Sequence, residues 1–125
     1  MEIQDFRIGN LYLGYDNKIY KVDYLFYELL SKDIELDEIV LSGIPLSEDL
    51  LIKLGFEKAT DKYNGYLSPS FRSRQRIRIK ITNSGNFIYS LNAERNPLYI
   101  ESVHQLQNLF HSLSGGKELD TSKII

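Results

Sequence analysis

Between residues 74 and 82 the chain alternates polar and aliphatic residues, and this alternation restricts the fold more than any other feature. Ile77, Ile79 and Ile81 occupy every second position, with basic residues between them. Successive side chains of a β-strand point to opposite faces, so the pattern predicts a strand over 74–82 with one buried face and one charged face. Such a strand belongs in a sheet that buries one face only.

The basic positions in and just before this strand form what we call the basic ladder: Arg72, Arg74, Arg76, Arg78 and Lys80. On one continuous strand all five side chains share a face. Three interpretations stay open at this point. The ladder is a solvated face paired with acids across the sheet, or it contacts an acidic protein surface, or it follows the phosphates of a nucleic acid while Phe71 or Tyr89 stacks on bases.

Turn residues and β-branched or aromatic runs predict further strands. We expect a hairpin over 7–22 with a bend at Gly9, and a second hairpin around the turn at 83–86. The remaining predicted strands are 38–41, 63–67, 86–91 and 98–101.

Two helices carry clear local signals. Over 23–32 the apolar residues have helical spacing, whereas the aromatic residues there also suit a continuing strand, and of the two we favour a short helix. Ser47 is suited to cap a helix that ends at Gly55. Ser102 and Gln105 predict a capping box for a helix over 103–114. Together the elements predict a single α+β domain over 1–125, with an antiparallel sheet of about five or six strands, two principal helices and a polar tail at 117–125.

Composition excludes several kinds of chemistry. The chain has no cysteine, so thiol catalysis, disulfides and cysteine-ligated metals are excluded. His104 and His111 share a helix face but lie two turns apart, so we interpret them as surface or edge histidines rather than metal ligands. No nucleophile motif or phosphate-binding loop is present, and no apolar run is long enough to span a membrane. We expect no catalytic residues, no cofactor, no metal and no membrane partner.

Charge and tyrosine are unevenly distributed. Residues 1–66 hold 7 basic and 13 acidic residues, whereas residues 67–125 hold 8 basic and 4 acidic ones. Five tyrosines fall in the first quarter of the chain: Tyr12, Tyr15, Tyr20, Tyr24 and Tyr27. They either complete a small core or form an exposed docking patch, because tyrosine serves both purposes.

Three stretches carry a resemblance to a known family. They are the run DFRIGNLY at 5–12, the run IPLSEDLLIKLGFE at 44–57, and the run VHQLQNLF at 103–110 followed by LSG at 113–115. In order and spacing they resemble a widespread family of small uncharacterised proteins of Bacteroidetes and their phages or prophages. The family usually has a bulky aromatic where this chain has Leu50, and the basic ladder is not part of the shared pattern.

The resemblance implies a context rather than a site. Small phage accessory proteins without cysteine often act by occupying a host protein in the cytoplasm. We therefore expect a non-catalytic protein that binds a host partner, and an inhibitor of a defence nuclease, such as a CRISPR effector or its guide RNA complex, is one candidate. The alternative is a nucleic-acid-binding module that uses residues 72–80.

Overall fold

The structure, a computed structural model, describes residues 5–60, 65–71, 74–89 and 97–125. Within them the chain is α+β, as predicted. The elements in chain order are β1 (Leu11–Leu13), β2 (Ile19–Lys21), α1 (Tyr24–Ser31), α2 (Leu36–Ile39), α3 (Glu48–Lys53), β3 (Glu57–Lys58), β4 (Tyr66–Leu67), β5 (Arg78–Ile81), β6 (Phe87–Tyr89), β7 (Leu98–Ile100) and α4 (Val103–Leu113). No helix in these ranges has the length and apolar character needed to cross a membrane.

The first unit is the predicted hairpin. Strands β1 and β2 pair antiparallel, with Tyr12 opposite Tyr20. Gly9, which has a φ of 96°, bends the chain before β1 and donates its N–H to Val22 O at 2.9 Å. Helix α1 follows at the position predicted from apolar spacing, and its first turn is capped by Asp23, whose Oδ1 accepts from the Phe26 N–H at 3.1 Å.

The strand predicted at 38–41 is wrong, because residues 36–39 form the short helix α2. Leu36, Ile39 and Val40 are spaced for a helical face, and they pack with Phe26 in a small second hydrophobic cluster. Extended pairing starts only after this helix, where Ser42 bridges to Leu13. The β-branched residues that suggested a strand therefore serve helix packing.

Helix α3 begins and ends where its sequence signals predict. Ser47 Oγ accepts from the Leu50 N–H at 3.2 Å. Gly55 adopts a φ of 93°, and the N–H groups of Gly55 and Phe56 reach back to Ile52 O and Leu51 O, both at 3.0 Å. These two hydrogen bonds together form the Schellman motif, which ends a helix at a glycine in the left-handed conformation.

Strands β3 to β7 form a five-stranded antiparallel sheet in chain order. The predicted turn at 83–86 joins β5 to β6, with Thr82 N–H bonded to Asn86 O at 2.8 Å. Strand β5 is shorter than predicted, since it starts at Arg78 and not at Arg74. The predicted strands 63–67 and 86–91 each extend partly beyond the described residues, which show β4 and β6.

Helices α3 and α4 cover one face of this sheet and build the main core. Leu51 and Leu54 from the α3 segment, and Leu106 and Phe110 from α4, pack in one cluster with Ile79 of β5. Fully burying a leucine or isoleucine side chain stabilises the fold by about 1.5–3 kcal/mol. This packing gives the sheet an inner face, which contacts the helices, and an opposite face.

The segment after α4 is packed onto the domain, although the sequence predicts a polar tail at 117–125. Leu119 and Thr121 are buried, and Ile124 contacts the main core. Arg7 forms an ion pair with Glu118 at 2.7 Å. The segment therefore contributes apolar contacts of its own.

Candidate binding surface

Strand pairing builds a continuous surface on the side of the sheet away from α3 and α4. Lys80 lies opposite Ile88, and Ile88 lies opposite Tyr99. A second row of cross-strand neighbours on the same face places Arg78 opposite Leu67, and Leu67 opposite Glu57. We call this surface the outer face; it consists of Glu57, Leu67, Arg78, Lys80, Ile88 and Tyr99.

Along β5, burial distinguishes the two faces. Ile77 and Ile79 are buried on the inner face, whereas Lys80 between Ile79 and Ile81 is exposed. Tyr99 is 55% exposed, and Ile88 is only half-buried. The outer face is therefore an open, partly apolar surface with basic side chains on β5.

Gly65 lets the basic side chains lie close to the neighbouring strand. A Cβ at this position would come within 3.3 Å of both Arg78 Cγ and Lys80 Cγ, and within 2.7 Å of Ile79 O. The aliphatic stems of the two basic residues thus pack over a position that has no side chain. The stems of both basic residues therefore lie against the residue that precedes β4.

The basic ladder is divided rather than continuous. Arg74 lies in a turn with a φ of 70°, so the prediction that it extends the strand is wrong. Arg76 donates through Nε to Ser68 O at 2.6 Å and pairs through Nη2 with Glu57 Oε2 at 3.2 Å. Arg78 and Lys80 stay on one face of β5. Arg72 lies outside the described residues.

The two rings predicted to stack on bases pack elsewhere. Phe71 makes an edge contact with Phe110 of α4, with ring centroids 5.7 Å apart. Tyr89 alternates with Ile88 along β6 and packs against the main core, and burial raises the pKa of its hydroxyl. Neither ring lies beside Lys80 on the outer face. The ring that does lie there, Tyr99, was not predicted.

The five early tyrosines divide between the two uses left open by the sequence. Tyr12 is buried in the second cluster with Phe6 and Phe26, at ring distances of 6.3 Å and 5.4 Å. Tyr15 and Tyr24 are exposed. The tyrosines therefore form neither one core nor one patch.

His104 departs from the surface or edge placement expected for both histidines, whereas His111 is partly exposed, in agreement with it. His104 is 4% exposed and stacks on Phe6, with ring centroids 4.5 Å apart. Burial lowers the pKa of its imidazole, and the nearby charge of Asp5 partly opposes this change. His111 lies near Glu118, with 3.8 Å between Nε2 and Oε1. Within the described ranges no group of three metal-ligating side chains occurs.

A polar network joins the amino-terminal segment to α4. Arg7 Nε donates to Asn108 Oδ1 at 2.9 Å, and Asn108 Nδ2 donates to Asp5 O at 2.8 Å. Gln107 is buried, accepts from the Leu11 N–H at 2.9 Å and donates to Gly9 O at 3.0 Å. These bonds satisfy backbone groups at the bend before β1, so their role is structural. They also bring the stretches 5–12 and 103–110 into contact.

Comparisons with protein-family models, with curated proteins and with solved structures gave no match.

Proposed function

We propose that this chain is a non-catalytic binding protein whose outer face docks on an acidic surface of another protein. In the context implied by the sequence resemblance, the partner is a host protein met by a phage or prophage product, and a defence nuclease is one such partner. The observation that carries the proposal is the row Lys80–Ile88–Tyr99, which presents a cation, an aliphatic side chain and an exposed aromatic ring on adjacent strands.

This composition fits a protein partner. Interface centres are enriched in tyrosine and arginine, and Tyr99 is a large apolar side chain that keeps a polar hydroxyl. Ile88 on β6 lies beside Tyr99, and Leu67 on β4 lies beside Arg78; both keep partly exposed aliphatic surface. Arg78 and Lys80 then select an acidic partner over a basic one through charge complementarity.

The charge distribution supports the same partner chemistry. Although the whole chain has a net charge of −2, residues 67–125 hold 8 basic and 4 acidic residues. The outer face draws its basic side chains from this half. Local fields, and not the net charge, decide how such a surface steers a partner.

The experiment is affinity capture from a nuclease-treated bacterial lysate, followed by titration of the retained partner. Arg78→Glu/Lys80→Glu reverses the charge of the outer face and is expected to weaken binding by about tenfold or more. Lys18→Glu/Lys32→Glu makes the same change in net charge on exposed residues outside the sheet. Equal affinity of the two double variants would contradict the proposal.

The nucleic-acid alternative gives a different result in the same experiment. Retained material would disappear after nuclease treatment, and affinity for an oligonucleotide would fall steeply between about 50 mM and about 500 mM salt. Phe71 and Tyr89, the rings expected to stack on bases, are partly buried and pack against the main core, which gives this alternative less support than the protein partner. We therefore favour the protein partner.

A further inference from the structure

A second, independent feature is a cavity of about 330 Å³ at the start of α4. Its walls come from the segment before β1, the segment before α3 and the first turn of α4. The lining residues are Asp5, Gly43, Pro45, Glu101, Ser102, His104, Gln105 and Asn108. A cavity of this volume accommodates a small molecule with several polar groups.

The first turn of α4, which lines this cavity through His104 and Gln105, carries backbone donors without an acceptor among the described residues. Ser102 precedes the helix, but its Oγ lies 3.0 Å from His104 Nδ1 and does not cap the helix. The Val103 N–H is bonded to Ile44 O at 2.9 Å, whereas in the described parts of the chain the N–H groups of His104 and Gln105 have no hydrogen-bond acceptor. Free N–H groups at a helix start carry partial positive charge and bind anions.

His104 adds a third donor or acceptor at the same place. Its ring is held between Phe6 and Gly43, where a Cβ would come within 2.7 Å of His104 Cε1. Ser102 occupies Nδ1, and among the described residues no hydrogen bond is made by Nε2. Because burial lowers the pKa of this imidazole, the ring is neutral at pH 7. Among the described residues Asn10 Nδ2 is the only fully buried side-chain nitrogen or oxygen without a hydrogen bond, so His104 Nε2 keeps accessible surface, and His104 lines this cavity.

The same cavity also has a negative side. Glu101 is exposed at its rim, and its backbone N–H donates to Gln105 Oε1 at 2.7 Å. Asp5 contributes a second carboxylate, close enough for its charge to act on His104. A simple anion would be repelled by these carboxylates, and a simple cation by the helix start. A ligand that carries both charges satisfies both sides.

We propose that this cavity binds a small zwitterion of the α-amino acid class. The ligand carboxylate accepts from the backbone N–H groups of His104 and Gln105 and from the imidazole Nε2–H. The ligand ammonium group donates to the carboxylates of Glu101 and Asp5. Ser102 Oγ–H then donates to Nδ1, which fixes the tautomer that leaves Nε2 as a donor. This assignment does not depend on the outer face.

The test follows backbone amide resonances of the full chain by NMR while individual L-amino acids are added. The resonances of His104 and Gln105 are expected to shift with a dissociation constant of about 1 mM or tighter for the best amino acid. Acetate and methylammonium, which each carry one of the two charges, are expected to bind at least about tenfold more weakly. Absence of a response to every amino acid, or equal binding of acetate, would overturn the proposal.

Two variants separate ligand binding from folding. Glu101→Gln removes one carboxylate from an exposed position, so the fold is retained, and the amino acid affinity is expected to fall about fivefold to tenfold. His111→Gln, two turns along the same helix and outside the cavity lining, leaves the affinity unchanged. An unchanged affinity in Glu101→Gln would show that the ammonium subsite is wrong.

Discussion

At the scale of single residues, two polar side chains of α4, one buried and one half-buried, hold the amino-terminal segment in place. Gln107 bridges the Leu11 N–H and the Gly9 carbonyl, and Asn108 bridges Arg7 and the Asp5 carbonyl. The apolar spacing of α4 was predictable from sequence. The role of its polar residues was not, because their partners lie about a hundred residues earlier in the chain.

Gln107 gives the first prediction. Gln107→Leu keeps the side-chain volume but leaves the Leu11 N–H and the Gly9 carbonyl without their partner, so the free energy of unfolding is expected to fall by about 1–3 kcal/mol. Urea denaturation measures the free energy of unfolding of the variant and of the wild type. Gln75→Leu, on an exposed side chain, should change stability by less than about 0.5 kcal/mol. Equal stabilities of the two variants would show that the bridge contributes nothing.

His104 gives a pH prediction. Its folded-state pKa is lowered by burial, so the unfolded chain binds this proton more readily. The contribution of neutral His104 to the free energy of unfolding is therefore complete above the unfolded pKa of about 6.5. It is lost as the pH falls through the lower folded-state pKa. Denaturation of the wild type and of His104→Gln at about pH 7.5 and about pH 5.5 measures the difference in slope. The variant should lose less stability on acidification, and parallel slopes would contradict this account.

At the scale of elements, the local signals of α3 were confirmed, but the capping box predicted from Ser102 and Gln105 for α4 was wrong. Ser102 Oγ contacts His104 Nδ1 instead, and Gln105 Oε1 accepts from the Glu101 N–H.

Helix α3 has its cap at Ser47 and its terminating glycine at Gly55, and both function as predicted. Strand β5 was predicted too long, because the left-handed turn at Arg74 and the bond between the Ile77 N–H and Ser68 Oγ depend on a neighbouring segment. Helix α2 was missed because packing in the second cluster, and not strand propensity, decides its conformation.

The α3 terminus provides a prediction at this scale. Gly55→Ala places a Cβ on a residue with a φ of 93°, and the expected loss in the free energy of unfolding is about 1–2 kcal/mol. Lys53→Ala in the last turn removes only an exposed ion pair with Asp49 and should cost less than about 1 kcal/mol. Thermal denaturation compares the stabilities of the Gly55→Ala and Lys53→Ala proteins. A Gly55→Ala protein as stable as the wild type would mean that the helix ends without needing the left-handed residue.

At the scale of the whole molecule, the order of the strands in the sheet determines which side chains are neighbours on the outer face. The two-faced character of β5 was readable from the alternation of basic residues and isoleucines. The residues next to β5 on this face could not be predicted from the sequence, since it is pairing through β6 that brings Tyr99 into one row with Lys80. The basic part of the candidate site was therefore predictable from the sequence, whereas the two predicted rings pack against the core and the exposed aromatic residue was not predicted.

If the outer face is the binding surface, two exposed tyrosines must differ in their effect on binding, and comparing them is the most direct measurement. The dissociation constant of the captured partner is measured by calorimetry for Tyr99→Ala, on the outer face, and for Tyr24→Ala, which is 77% exposed on α1. We expect Tyr99→Ala to weaken binding by about tenfold or more and Tyr24→Ala to leave it within about twofold of the wild type. The reverse order, or no effect of Tyr99→Ala, would contradict the account.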